Sequence, residues 1–103
     1  MEWYTYPAYI FAGVFITNGV PHFTQGITGN RFQTPFASPP GVGESSPLMN
    51  IIWALVNFAI GYVLIFKVGE FQLGLTRSVL MAFIGATATA VYLSVYFERL
   101  RKR

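Results

Sequence analysis

Side chains that could do chemistry are few in this 103-residue sequence, and most lie in one stretch. That stretch, VPHFTQGITGNRFQTPFASPPGVG (20–43), contains the only histidine, His22, and the first arginine, Arg31. An imidazole can bind a metal or carry a proton, and a guanidinium beside a Gly-Asn turn can hold a phosphate. His22 and Arg31 are therefore the first candidates for binding or catalysis.

Companions for either kind of chemistry are scarce. The sequence has no cysteine and no aspartate, and its four glutamates are dispersed at positions 2, 44, 70 and 98. The serines at 38, 45 and 46 with one histidine do not make a Ser-His-Asp triad, and the Gly-rich phosphate motifs are absent from the sequence. We predict a non-enzymatic protein with no metal and no cofactor of its own, in which His22 satisfies carbonyl groups at a helix end. The alternative that His22 provides one ligand to a cofactor held by other subunits stays open.

The polar stretch itself predicts an ordered loop, because disordered linkers are poor in aromatic residues and this one is rich in phenylalanine. Glycines at 26, 29, 41 and 43 fit turns, and prolines at 35, 39 and 40 lower the entropy cost of ordering. We predict a long ordered Pro/Gly/Phe-rich loop over 21–47, with a serine capping the helix that follows. The candidate binding residues in the loop are His22, Asn30, Arg31, Phe32 and Phe36.

Long uncharged runs flank the loop. Residues 48–66 and 78–97 carry no charge, and about 20 helical residues rise roughly 30 Å, the thickness of the bilayer hydrocarbon. Residues 3–20 form a third and weaker run. With 53% hydrophobic and 11% charged residues, the sequence predicts one all-α transmembrane domain over 1–103, with transmembrane helices at these three runs.

Basic residues predict the orientation of such a domain. Arg31 and the four basic residues in 99–103 would lie on one side, against Lys67 and Arg77 on the other. Cytoplasmic segments carry the excess of Lys and Arg, so we expect the N-terminus outside and the C-terminus in the cytoplasm. A basic tail directly after an apolar run is typical of a membrane anchor, so we expect membrane lipid as a partner and no nucleic acid.

Small and polar residues mark the helix faces that should pack, because helices in lipid associate through close contact and hydrogen bonds. The packing candidates are Asn50, Asn57 and Gly61 in the middle run and Ala82, Gly85, Ala86 and Thr89 in the last run. We expect these two faces to meet each other, or to receive another subunit or a second copy of the chain. Alternatively, the two asparagines line a polar passage.

The run PHFTQGITGNRFQTPFASPPGVG, followed by SSP and an apolar helix with Asn and Trp, resembles a family of small bacterial inner-membrane proteins. These carry a similar Pro-His-Phe, Gly, Gly, Phe, Pro-Phe, Pro-Gly order between hydrophobic segments. The resemblance implies a bacterial inner-membrane location and brings no activity. We expect an integral membrane subunit or assembly partner of a larger bacterial membrane complex. A homo-oligomeric small transporter or channel is the alternative, and a lipid-phosphate enzyme using His22 and Arg31 is a third.

Overall fold

The computed structural model describes residues 2–102, and most of them are helical. The three helices are α1 (Thr5–Ile27), α2 (Pro47–Phe66) and α3 (Arg77–Arg101). α2 and α3 are each long and apolar enough to cross a membrane, whereas α1 does not meet the same criterion of length and composition. This result agrees with the sequence, in which the first run is less apolar than the other two.

A two-residue ribbon lies in the connection between α1 and α2. Strand β1 (Phe32–Gln33) pairs antiparallel with β2 (Glu44–Ser45), with Phe32 opposite Ser45. The sequence predicted no strand here. The connection then ends at Ser46, whose hydroxyl accepts a hydrogen bond of 3.1 Å from the Met49 N–H, so the predicted serine cap is confirmed.

The start of the predicted loop is wrong, because α1 continues through Pro21 and His22 to Ile27. Proline in a helix interior removes one backbone hydrogen bond. Packing against α2 accounts for the continuation: a Cβ on Gly19 would lie 2.6 Å from the Phe58 ring, and one on Gly26 would lie 2.7 Å from Ile51. Gly26 is therefore a close-contact position inside the helix rather than the predicted turn glycine, and the connection spans 28–46.

A Schellman motif ends α1. The Gly29 N–H donates to the Gly26 carbonyl at 3.1 Å, and the Asn30 N–H donates to the Gln25 carbonyl at 2.9 Å. Gly29 has a φ of +78°, the left-handed conformation that this helix ending requires. The turn that the sequence predicts at Gly29 and Asn30 is thus the C-terminal cap of α1.

α1 is the central helix, with α2 packed on one side and α3 on the other. Gly61 of α2 faces Ile16, and Gly85 of α3 lies against the Ile10 carbonyl, where a Cβ would overlap the backbone. The prediction that the small faces of α2 and α3 meet each other is wrong, because α1 occupies both. α2 and α3 have few contacts with each other, and the space between them is a groove whose floor is α1.

The chain runs up, down and up, so the molecule has two ends. At the first, which we call the loop end, the Tyr96 hydroxyl of α3 donates to the Gly41 carbonyl at 2.6 Å. At the other, the Arg77 guanidinium donates to the Tyr6 hydroxyl at 3.2 Å, close to the connection 67–76. The loop end therefore brings the connection 28–46 together with the C-terminal part of α3.

Candidate functional site

A buried asparagine organises the loop end. Asn50 lies in the first turn of α2 and is fully buried. Its side-chain Nδ2 is 3.0–3.2 Å from the carbonyl oxygens of Phe32, Ser45 and Ser46. Its Oδ1 is 2.8 Å from Nδ1 of His22. Because three carbonyls surround Nδ2, the amide orientation is fixed, and Oδ1 accepts from a protonated His22 Nδ1.

His22 is 4% exposed and lies between Asn50 and Phe32, whose ring it meets in a T-shaped contact with centroids 5.4 Å apart. The prediction that His22 satisfies carbonyls at a helix end is wrong, since it lies inside α1 and bonds a side chain of α2. Within residues 2–102 it has no ionic partner, and burial without one favours the neutral ring. With its hydrogen on Nδ1, the neutral imidazole presents Nε2 as an acceptor, and the hydrogen bond of His22 within these residues is the one through Nδ1.

A second amide contact joins α1 to α2 two turns further along. Asn18 donates from Nδ2 to Oδ1 of Asn57 at 3.0 Å, and Asn57 donates to the Trp53 carbonyl at 2.8 Å. Asn50, Asn57 and Gly61 are all buried on the face of α2 that meets α1. On α3, Gly85 is buried against α1, while Ala82, Ala86 and Thr89 are half-buried beside it.

The remaining loop candidates divide between core and surface. Phe32 is buried against Phe97, with ring centroids 4.8 Å apart, and the Arg101 guanidinium lies 5.7 Å from the Phe32 centroid. Phe36 is half-exposed and meets the Trp53 ring edge-on at 5.5 Å. The aromatic residues of the loop therefore pack on the helices.

Asn30 and Arg31 are exposed instead. Asn30 donates to Oε1 of Gln25 at 3.0 Å, and Arg31 donates from Nη2 to the Glu44 carbonyl at 3.1 Å. Within residues 2–102, Arg31 and the buried His22 do not bond to each other and do not share a hydrogen-bond partner. The geometry thus does not assemble these two side chains into a phosphate site.

The connection 28–46 covers the end of the groove between α2 and α3. Beneath it lies a half-open cavity of about 340 Å³, which we call the loop cavity. Its walls include His22 of α1, Gln33 of the ribbon, Trp53 of α2, and Tyr92, Tyr96 and Phe97 of α3. Pockets of roughly 300–1,000 Å³ with a few polar groups are typical of small-molecule sites.

Two of the residues that line the cavity carry a buried polar atom without a hydrogen-bond partner. Gln33 Oε1 and Trp53 Nε1 are buried and make no hydrogen bond within residues 2–102. The sequence did not single out either residue. Trp53 follows Asn50 by three positions, which places both on one side of a helix and could have identified it. Nothing in the local sequence signals Gln33, because its place depends on the ribbon.

No group of three His, Cys, Asp or Glu side chains that could hold a metal ion occurs within residues 2–102. Comparison with family models, with curated proteins and with solved structures finds no match for this chain. The resemblance of the loop motif to a bacterial inner-membrane family therefore stays a prediction.

Proposed function

We propose that this protein is a non-enzymatic integral membrane subunit, or assembly partner, that docks into a larger bacterial inner-membrane complex through the outer face of α3. The observation that carries the proposal is a set of small and hydroxyl-bearing residues in the second half of that face, whose first half exposes Leu80 and Phe83. Thr87, Ala90 and Ser94 are exposed there, roughly opposite the buried Gly85. Thr87 and Ser94 are seven residues apart, almost two turns, so they align along the helix.

The outer face of α2 provides the contrast. It exposes large aliphatic side chains such as Ile52, Leu55 and Ile60. Large aliphatic groups suit contact with lipid chains, whereas small and hydroxyl-bearing residues let another helix approach closely and bond across the contact. α1 already covers the opposite side of α3, so these small residues have no partner helix within residues 2–102.

Two further observations support a membrane setting with all three helices crossing it. The longest dimension of the molecule is 43 Å, and a bilayer with its head groups is about 40–45 Å thick. Arg31, Arg99, Arg101 and Lys102 share the loop end, against Lys67 and Arg77 at the other end. Arg103 lies outside the described residues. By the positive-inside rule the loop end is cytoplasmic and the N-terminus is outside.

The alternative of a transporter or channel gains nothing from this geometry. It needs Asn50 and Asn57 along a passage, but both amides are buried and bonded within the chain. Their bonds hold α1 to α2, which is a packing role.

A matched pair of substitutions tests the docking face. Ala90 on α3 and Ala59 on α2 are both exposed, so Ala90→Trp and Ala59→Trp add the same bulk to two outward faces. After extraction in mild detergent, we expect the native chain to elute in an assembly much larger than its 11.5 kDa. Ala90→Trp should release it from that assembly, whereas Ala59→Trp should leave the assembly intact.

Two outcomes would contradict the proposal. One is a native chain that elutes as a lone monomer with no co-purifying protein. The other is an assembly that survives Ala90→Trp as well as it survives Ala59→Trp. An assembly containing only copies of this chain would favour the homo-oligomer alternative.

A further inference from the structure

We propose that a cavity beside Arg99 of α3, the Arg99 cavity, binds an anionic phospholipid of the leaflet at the loop end, with the phosphate at the guanidinium and one acyl chain along α3. Lipid binding here rests on the proposed membrane setting but needs no protein partner. The cavity measures about 420 Å³ and is lined by Val42 of the connection 28–46 and by Tyr92, Val95, Tyr96, Arg99 and Leu100 of α3.

The charges at this end select an anionic occupant. Of the six described residues that line the cavity, Arg99 alone is charged, and it is exposed. Within residues 2–102, the ion pair at this end joins Lys102 to Glu98, 3.7 Å apart, so it does not neutralise Arg99. Arg101 adds a further positive charge two residues later. A guanidinium matches phosphate oxygens well, whereas a second copy of this chain would bring like charges together in a symmetric contact.

The rest of the cavity wall suits a lipid. Val42, Val95 and Leu100 provide apolar side chains. The Tyr92 and Tyr96 rings stack with centroids 6.1 Å apart, and Tyr92 is 65% exposed. Tyrosine rings are enriched at the level of the lipid head groups. The cavity therefore combines one cation with the aromatic and apolar groups that border a membrane interface.

A second cavity adjoins the first at Tyr92 and provides space for the acyl chain. It measures about 310 Å³, and Tyr92 lines both cavities. From Arg99 to Ala88 the helix rises roughly 16 Å, and one leaflet contributes about half of the roughly 30 Å hydrocarbon core. The two cavities together thus match the depth that one acyl chain fills. The other lining residues of the second cavity are Val14, Phe15 and Asn18 of α1 and Ala88, Thr89 and Leu93 of α3.

The Arg99 cavity is distinct from the docking face on the outer side of α3. At 100° per residue, Arg99 lies about 140° around the helix from Ser94, and Tyr92 lies about 160° from it. A lipid at the cavity and a helix against Ser94 would therefore occupy different sides of α3. Lipid binding can be measured whether or not a protein partner is bound.

Lipid titration of the purified full chain in a mild non-ionic detergent, followed by native mass spectrometry, tests the selection by charge. Dioleoyl phosphatidylglycerol and dioleoyl phosphatidylcholine have the same acyl chains, but only the first has a net negative charge. We expect one phosphatidylglycerol to bind about 5-fold more tightly than phosphatidylcholine, the effect of one basic residue beside an anionic head group. The preference should appear on the lone chain and on any assembly alike, so a missing protein partner would not hide it.

A matched pair of arginine substitutions locates the head group. Arg99→Gln and Arg31→Gln remove the same charge from two exposed residues of the loop end, and Arg31 is not part of the cavity lining. We expect Arg99→Gln to weaken phosphatidylglycerol binding by about 5-fold, to the level of phosphatidylcholine, and Arg31→Gln to change it only slightly. Thermal midpoints close to that of the native chain show that both variants keep the fold.

A bulky side chain in the second cavity tests the path of the acyl chain. Ala88→Trp places an indole in that cavity, whereas Ala59→Trp adds the same group on the outer face of α2. We expect only Ala88→Trp to weaken binding of dioleoyl phosphatidylglycerol, by about 4-fold or more, the effect of one CH₂ group lost from the apolar contact. Dihexanoyl phosphatidylglycerol, whose chains are too short to reach Ala88, should bind the Ala88→Trp variant and the native chain alike.

Three results would overturn the inference. Equal binding of phosphatidylglycerol and phosphatidylcholine would show that charge does not select the lipid. Equal weakening by Arg99→Gln and Arg31→Gln would show a diffuse attraction to the basic end of the molecule rather than a site. Equal binding of the dioleoyl lipid by the Ala88→Trp and Ala59→Trp variants would place the acyl chain elsewhere.

Discussion

The two connections between the helices differ in how closely they pack on the helices, and their lengths and compositions do not predict this difference. The connection 28–46 is the longer and more polar, yet Phe32 and Thr34 within it are buried. The connection 67–76 is short, but it exposes Leu73 at 86% and Leu75 at 109% of their reference areas. The polar segment is therefore the one that packs, and the segment with the leucines is the one that projects.

Hydrogen bonds to the helices explain the difference. Asn50 holds both strands of the ribbon in 28–46 through their carbonyls, and Tyr96 holds the turn at Gly41. Within residues 2–102, the side-chain hydrogen bonds of the connection 67–76 involve Thr76, which donates to the Gln72 carbonyl at 2.6 Å and, as the cap of α3, accepts from the Val79 N–H at 3.2 Å. Because exposed leucine side chains are unfavourable in water, the connection 67–76 is suited to contact with the membrane interface or with a partner protein.

The largest effect should come from removing the amide that holds the longer connection. Asn50→Leu deprives the Phe32 and Ser45 carbonyls and His22 Nδ1 of their partner. Each buried polar group left unpaired costs about 1–3 kcal/mol, so we expect a loss of roughly 2–4 kcal/mol in the free energy of unfolding in mixed micelles. Gln72→Leu in the short connection should cost no more than about 0.5 kcal/mol. Equal losses would show that the two connections are held alike.

An intermediate effect should separate two glycines with positive φ, one chosen from each connection. Gly41 has a φ of +74° and Gly74 a φ of +104°. Alanine is strained at both, by about 1–2 kcal/mol. At Gly41 the new Cβ would also lie 2.7 Å from the Tyr96 hydroxyl, whereas nothing lies within 4 Å at Gly74. We expect Gly41→Ala to lower the thermal midpoint distinctly more than Gly74→Ala. The reverse order would contradict the packed connection.

The smallest effect should distinguish two tyrosine hydroxyls. Tyr96→Phe removes the part-buried 2.6 Å bond to Gly41, which should cost about 1 kcal/mol. Tyr6→Phe removes an exposed bond from Arg77 and should cost less than about 0.5 kcal/mol. Amide hydrogen exchange adds a local readout: only Tyr96→Phe should speed exchange of the Gly41 N–H, which donates to the Thr34 carbonyl at 2.9 Å. Unchanged exchange at Gly41 would mean that the tyrosine does not hold the turn.

Much of the helical framework could be predicted from the sequence, because uncharged runs and a serine cap are local signals. Three helices, the Ser46 cap and the buried face of Asn50, Asn57 and Gly61 follow from such signals. The end of α1 does not, because proline and glycine at 21 and 26 are also signals for a turn. Their helical state depends on the packing of α1 against Phe58 and Ile51, which lie some 30 residues away in the chain.

The candidate site was predicted only in part, for the same reason. His22 and Phe32 were singled out as loop residues, but their meeting depends on α1 extending far enough to bring the imidazole to Asn50. No local pattern marks Gln33, and the only local signal for Trp53 is its three-residue spacing from Asn50. Likewise, the sequence does not show that α1 packs against both other helices. That prediction requires a comparison of one face from each of the three helices, and each of these faces on its own is simply small and polar.

The contact between the connection 28–46 and the C-terminal part of α3 has a consequence for the synthesis of the chain. Phe32 and Gly41 complete their packing only against Phe97 and Tyr96, which leave the ribosome more than 50 residues later. A nascent chain in which only α1 and α2 have formed thus still has an uncovered connection. Closure of the connection requires the last helix, so partial chains differ from complete ones at the loop end, where proteases and chaperones would meet an uncovered segment.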